Sequence, residues 1–197
     1  MENPGTVLYW YDFLCPFCYV AQHRNAIFVR HGFDVIELPS QAHPDIPAGG
    51  IAAGPRQGPM YTLLEREASD AGLPLHWPLH LPNTRPALAA AEWARRHQPL
   101  AFHQFHKELF DAHFAMGEDL EDLTVIDRHA RGSGIDVVAL NAALANGSAA
   151  RAVAEAEMKG RHNGVQGTPA WLLRQRLIIG LRSVAEFERL AERALRV

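Results

Sequence analysis

Two cysteines separated by two residues, Cys15-Pro16-Phe17-Cys18, are the only cysteines in this 197-residue chain. They lie between an apolar, aromatic run, Thr6-Val7-Leu8-Tyr9-Trp10-Tyr11, and a stretch of helical character. The run reads as a buried strand. Pro16 suits the first position of a helix, which makes Cys15 the N-cap residue. The helix is expected to reach about Arg30, with Gly32 beyond its end as a stop. Phe33-Asp34-Val35-Ile36-Glu37-Leu38 follows as a second strand, so the three segments suit one right-handed β-α-β unit. A lone Cys-x-x-Cys at a strand-to-helix junction is the layout of a dithiol redox centre. It therefore constrains the chemistry and the topology together.

The rest of the chain divides by pattern. Residues 39–55 are rich in Pro, Gly and Ala and read as a loop or mobile segment. Helical pattern fills 58–163. The first helix carries Met60, Leu63, Leu64 and Ala68 and stops near Gly72. The second starts after Asn83-Thr84, either of which suits its cap, and the third covers roughly 99–116. A fourth ends at Gly132, a fifth covers Asp136 to Gly147, and a sixth follows Ser148. Their short connections predict antiparallel neighbours packed as a bundle. Sheet character returns in Ala170-Trp171-Leu172-Leu173 and Leu177-Ile178-Ile179, a hairpin without an Asn-Gly or Asp-Gly turn. Ser183-Val184-Ala185-Glu186 is a capping box that opens a last amphipathic helix, with Phe187 and Leu190 inward.

Charge and composition exclude several classes. A net charge of −3 gives no electrostatic case for nucleic acid or an anionic membrane. Two cysteines cannot make a disulfide framework, so any bridge between them is local. The leading residues Met1-Glu2-Asn3-Pro4-Gly5 lack a positively charged n-region, and the apolar run after them ends at Asp12. No segment has the apolar length of a membrane helix. These features predict a cytoplasmic protein.

Thiolate is the nucleophile in thiol–disulfide exchange. At a helix N-terminus Cys15 meets unpaired N–H groups and the positive end of the helix dipole, which lower its pKa. Cys18 lies almost a turn further in and should be more buried. Cys15 is thus the expected attacking sulfur and Cys18 the resolving one. Pro16 and Phe17 tune the couple and face substrate. Further on, Thr168-Pro169 follows a glycine turn and precedes a strand. A cis bond before Pro169 would expose the Thr168 backbone to an extended substrate.

Several motifs together resemble the DsbA family of thioredoxin-fold oxidoreductases, and within it the FrnE-like branch. They are Tyr11-Asp12-Phe13-Leu14-Cys15-Pro16-Phe17-Cys18-Tyr19, Asn83-Thr84-Arg85, Phe105-His106-Lys107-Glu108-Leu109-Phe110 with Phe114, and Gly164-Val165-Gln166-Gly167-Thr168-Pro169. The resemblance implies an α/β thioredoxin fold, β-α-β then β-β-α, interrupted by a large all-helical insertion. The expected division is 1–40 with 164–197 for the thioredoxin-like domain and 41–163 for the insertion. It also implies a redox-active Cys15/Cys18 pair and a cis-Pro169. Two departures bear on substrate preference. Thr168 stands where the family more usually has Val, and Gly180-Leu181-Arg182-Ser183 stands where Gly-Ala-Gln-Pro is expected.

The leading function is a thiol–disulfide oxidoreductase, acting as oxidase, reductase or isomerase on protein or small-molecule disulfides. The catalytic residues are Cys15 and Cys18, and Pro16, Phe17, Thr168 and Pro169 contact substrate. No tightly bound cofactor or metal is expected; a glutathione or thioredoxin-type thiol would exchange electrons with the pair, and the protein would be a monomer or homodimer. One alternative is a glutathione-dependent transferase or isomerase of the kappa or hydroxychromene-carboxylate type, whose members carry Ser at the first Cys position. The other is a chaperone-like binding protein. A zinc half-site would need two ligands besides the cysteines, with His103 and His106 the only close pair downstream. Asp12 reads as a surface or capping carboxylate, or as a charge that tunes Cys15. His106 and His113 read as core residues or as a pocket, and Asn83 and Arg85 as caps or as lining of a cleft.

Overall fold

A computed structural model describes residues 5–196. Residues 1–4 and 197, the outer ends of the expected sheet-bearing segments, lie outside the described residues. Strand β1 (Thr6–Tyr11) leads through helix α1 (Pro16–Arg30) to strand β2 (Asp34–Pro39), which pairs parallel to β1. Pro16 starts α1, and beyond its end Gly32 takes a φ of +88°, a left-handed conformation that glycine adopts without steric cost. A two-residue strand β3 (Ile51–Ala52), helix α2 (Pro59–Asp70) and strand β4 (His80–Leu81) come next, with β3 and β4 paired as a small ribbon. Then follow α3 (Arg85–His97), α4 (Pro99–Phe114), α5 (Leu123–Gly132), α6 (Val137–Ala145) and α7 (Ser148–His162). The chain closes with β5 (Ala170–Leu173), β6 (Arg176–Ile179) and α8 (Val184–Ala194).

The main sheet has the order β2-β1-β5-β6, with β5 antiparallel to β1 and β6 antiparallel to β5. This is the expected β-α-β then β-β-α arrangement with a helical insertion between its halves, except that the insertion is not all-helical: it holds the short β3–β4 ribbon. Alternation along β1 sends Val7, Tyr9 and Tyr11 to one core and Leu8 and Trp10 to the other. On the first face Tyr9 stacks on Trp171 at 5.0 Å, and Trp171 meets Phe187 of α8 edge-on at 4.8 Å. The Trp171 indole N–H donates to Asn25 Oδ1 of α1 at 2.7 Å, so α1 and α8 are held to the same face. On the second face Trp10 donates to the Ala156 carbonyl of α7 at 3.1 Å. A Cβ at Gly160 would lie 2.9 Å from Trp10 Nε1, so α7 reaches this distance only with glycine there.

Helix α3 is the centre of the bundle and packs on α4, α6, α7 and β2. Its buried Ala87, Ala89, Ala90, Ala91 and Ala94 leave room for neighbours on several sides. Glu92, fully buried among them, accepts from Arg95 and Arg96 at 2.7 Å. His106 and His113 of α4 lie in this core, so the structure places both as core residues. The ends of the later helices follow their residues: Asp122 accepts from the Thr124 amide, Asp136 from Val138 and Ala139, and Ser183 with Glu186 forms the capping box. The β5–β6 turn uses Arg174 at φ +55° instead of the Asn or Gly usual there, and its guanidinium donates to the Ala194 carbonyl at 2.8 Å. Among the described residues no single helix is long and apolar enough to cross a membrane.

The segment 39–55 is largely a loop, as expected, and side chains from elsewhere in the chain bond to it. Gln41 Nε2 donates to Asn83 Oδ1 at 2.9 Å, Asn83 Nδ2 to the Ile46 carbonyl at 2.8 Å, and the Gly49 amide to both Glu121 oxygens at 3.1 and 3.0 Å. Proline and glycine supply its bends, while side chains far along the chain tie it down.

Phe187→Ala should lower unfolding stability by about 3–5 kcal/mol, because it empties a packed aromatic site. Leu100→Ala, at a 99% exposed position, should change it by less than about 0.5 kcal/mol. Urea titration of both variants checks the contrast; similar losses would contradict the packing described. A second expectation concerns pH. Burial holds the His113 imidazole low, at about 4. Below about pH 6.5 the unfolded chain binds a proton that the folded chain refuses until about pH 4. Stability from this group is thus complete above pH 6.5 and falls by about 3 kcal/mol as pH drops through that window. His113→Leu should flatten that part of the pH profile of the urea midpoint, and an unchanged slope would refute it.

Candidate active site

The end of β1 and the start of α1 bring the cysteines to one edge of the sheet. The Cys15 amide donates to the Asp12 carbonyl at 3.1 Å, and the Cys15 carbonyl accepts from the amides of Cys18 and Tyr19 at 2.9 and 3.1 Å. Cys15 is the N-cap residue, as expected, yet its sulfur makes no side-chain cap hydrogen bond. Instead its Sγ donates to the Thr168 carbonyl at 3.4 Å. Both cysteines are free thiols. Cys15 keeps 9% of its surface exposed and Cys18 none, so Cys15 is the outer residue of the pair. Pro16 and Phe17 are half-buried beside them.

The Thr168–Pro169 bond is cis. Thr168 is half-buried and Pro169 buried at the entry to β5. The Thr168 hydroxyl is buried without a hydrogen-bond partner and lies near both sulfurs. The structure therefore unites the residues named from the sequence: Cys15, Pro16, Phe17, Cys18, Thr168 and Pro169 form one site.

The two thiols are pushed in opposite directions. Cys15 is held below its ordinary pKa, first by a hydrogen bond from the Cys18 side chain and then by the Thr168 hydroxyl and the Cys18 amide, against burial and the charge of Asp12. Cys18 is raised well above its ordinary value, mainly by burial and then by Cys15. Neighbouring side chains therefore rank ahead of the helix-end backbone in acidifying Cys15.

Asp12 is neither on the surface nor a cap. It is fully buried, and burial pushes its carboxyl up. Its Oδ1 accepts from the Leu14 amide at 3.2 Å and the Thr84 hydroxyl at 2.7 Å; Oδ2 accepts from the Ala42 amide at 2.7 Å. Because Thr84 is used there, Asn83 serves the α3 end by accepting from the Arg85 amide at 3.0 Å. Arg85 pairs with Glu157 of α7 at 2.6 Å and borders a cleft of about 580 Å³ in the bundle.

Tyr9 is a site residue that no sequence motif marked. It is fully buried beneath the pair, and its hydroxyl donates to the Cys18 carbonyl at 3.4 Å. Burial, then the charges of Cys18 and Cys15, push its phenol well above its ordinary pKa, so it stays a neutral donor. Its only sequence signal is the inward register of β1. His103 and His106 lie instead near Glu37, at 3.6 and 3.9 Å, away from the thiols. Among the described residues no group of three or more His, Cys, Asp or Glu is placed to hold a metal ion.

Residues 6–191 match the family model of the DSBA-like thioredoxin domain. No curated protein sequence matches the chain. The fold is shared with a probable DsbA oxidoreductase of Streptomyces coelicolor, at a TM-score of 0.80 and 20% identity over 96% of this chain and 89% of the other. A 2-hydroxychromene-2-carboxylate isomerase aligns at 0.77 and 21% identity, covering 97% and 96%. The cytosolic disulfide reductase DsbM of Pseudomonas aeruginosa, solved with glutathione, aligns at 0.68 and 20%, covering 98% and 100%.

In the reduced protein, iodoacetamide should modify Cys15 before Cys18, with a pH midpoint below the usual value of about 8.5. Thr168→Val, which removes a hydroxyl donor and keeps the shape, should raise that midpoint. Peptide mapping of alkylation against pH reads both; faster modification of Cys18 would overturn the assignment.

Proposed function

We propose that this chain, which belongs to the DSBA-like thioredoxin domain family, exchanges thiols and disulfides through Cys15 and Cys18. The observation that carries this reading is the asymmetry of the two sulfurs: one outer and acidified, the other buried and held protonated. A nucleophile with a reserve thiol behind it is what a two-step exchange requires.

In the reducing direction the Cys15 thiolate attacks one sulfur of a substrate disulfide. The substrate S–S bond breaks, a mixed disulfide forms, and the first substrate sulfur leaves as thiolate and takes a proton. Cys18 then attacks Cys15 Sγ, forming the Cys15–Cys18 disulfide, and its proton leaves with the second substrate thiol. The substrate gains two electrons and the protein loses two; an external thiol of the glutathione or thioredoxin type returns them. In the oxidising direction every step reverses. Pro16, Phe17 and the Thr168–Pro169 turn border Cys15 and form the surface that a substrate meets, whether a protein or a small disulfide.

The buried second thiol argues against the isomerase alternative, in which Cys18 has no task. The cytoplasmic setting is part of the proposal; a protein described as a cytosolic disulfide reductase shares the fold, as does one described as periplasmic. Cys15→Ser should abolish reduction of a model disulfide such as insulin. Cys18→Ser should leave the first step intact and accumulate a mixed disulfide visible by mass spectrometry. Activity retained by the double Cys15→Ser, Cys18→Ser variant would defeat the proposal.

A further inference from the structure

Among the described residues strand β6 is an edge of the main sheet and pairs only with β5. The Gly180 amide donates to the Pro169 carbonyl at 2.8 Å. Bonded and non-bonded pairs alternate along an antiparallel ladder, so Trp171–Ile178 and Leu173–Arg176 are bonded pairs. The N–H and C=O groups of Leu177 and Ile179 therefore point to the open edge.

Beside that edge lies a trough of about 310 Å³ between β6 and α8. Arg176, Arg182, Arg189 and Arg193 line it, and all four are exposed. Arg189 and Arg193 lie one turn apart on α8, Arg182 precedes the Ser183 cap of that helix, and Arg176 comes from the strand. The one carboxylate in the lining, Glu186, is taken by the Ser183 cap at 3.1 Å. None of the four guanidiniums has a carboxylate partner among the described residues, whereas Arg24, Arg30, Arg85 and Arg128 are each paired. In a chain of net charge −3 this gathering is not a by-product of general basicity. Charged residues also guard edge strands against aggregation, but such guards sit on the strand itself. Here only Arg176 does; the others flank the edge and leave its backbone reachable.

We propose that the β6 edge and the α8 arginines form a docking site for an extended acidic segment of a partner protein, added as a fifth strand. The backbone of Leu177 and Ile179 would bond the segment, and alternate carboxylates would reach the guanidinium forks. Four residues of β6 span about 13 Å, which suits a segment of four to five residues. A nucleic acid would use the charge but not the ladder. Gly180, which follows β6, is bonded to Pro169, yet docking does not depend on the thiol chemistry.

The test uses fluorescence anisotropy with a labelled Glu-Val-Glu-Val-Glu-Val peptide and the full-length Cys15→Ser, Cys18→Ser protein, so it is independent of redox activity. Binding should weaken with added salt and fall at least tenfold in Arg189→Glu, Arg193→Glu. Arg176→Glu should weaken it separately, and alternate N-methylation of the peptide should abolish it. In the two-cysteine protein, Arg189→Glu, Arg193→Glu should leave reduction of a small aromatic disulfide unchanged. Absence of binding, indifference to N-methylation, or equal binding of a single-stranded oligonucleotide would overturn the proposal. So would concentration-dependent self-association that the charge reversal removes, which would make a second copy of this chain the occupant.

Discussion

Burying an ionisable carboxyl is costly unless donors meet its oxygens. Asp12 meets three, from the turn before the thiols, the loop after β2, and the first residue before α3. Those segments are distant in the chain, and the carboxylate is where they converge. The bundle supplies Thr84 and the loop supplies Ala42 to the carboxylate of the thiol turn. The helical segment is thus a structural support of the site as well as a neighbour of it. Its charge also opposes ionisation of Cys15, so the acidity of that thiol is a balance between Asp12 and the donors Cys18 and Thr168.

The frame around the thiols was legible because its signals are local. A proline at the first helical turn, a glycine after the last, and alternating aromatic residues in β1 each specify backbone by themselves. So does the capping box at Ser183. The two halves of the site were also legible, since Cys15-x-x-Cys18 and Thr168-Pro169 are recognisable dipeptide-scale motifs.

What escaped the sequence is what depends on partners far along the chain. Thr84 reads equally well as a cap, and only the fold shows that its hydroxyl goes to Asp12. Residues 39–55 read as loose because proline and glycine dominate them, yet Asn83 and Glu121 hold them. The β3–β4 ribbon is two residues long and has no periodicity to read. Tyr9 looks like any inward strand residue until α1 sets Cys18 over it.

Trp10 and Gly160 show how closely the sheet and the bundle are fitted. The indole of β1 occupies the space where a side chain of α7 would begin, and its N–H is spent on the Ala156 carbonyl of the same helix. Neither position is free to drift alone in evolution. A methyl group gained at 160 is admissible only after the ring at 10 has shrunk, and a smaller ring forfeits the bond to α7. The two residues behave as one heritable unit, so lineages that repack this seam must pass through a weakened intermediate or change both positions together.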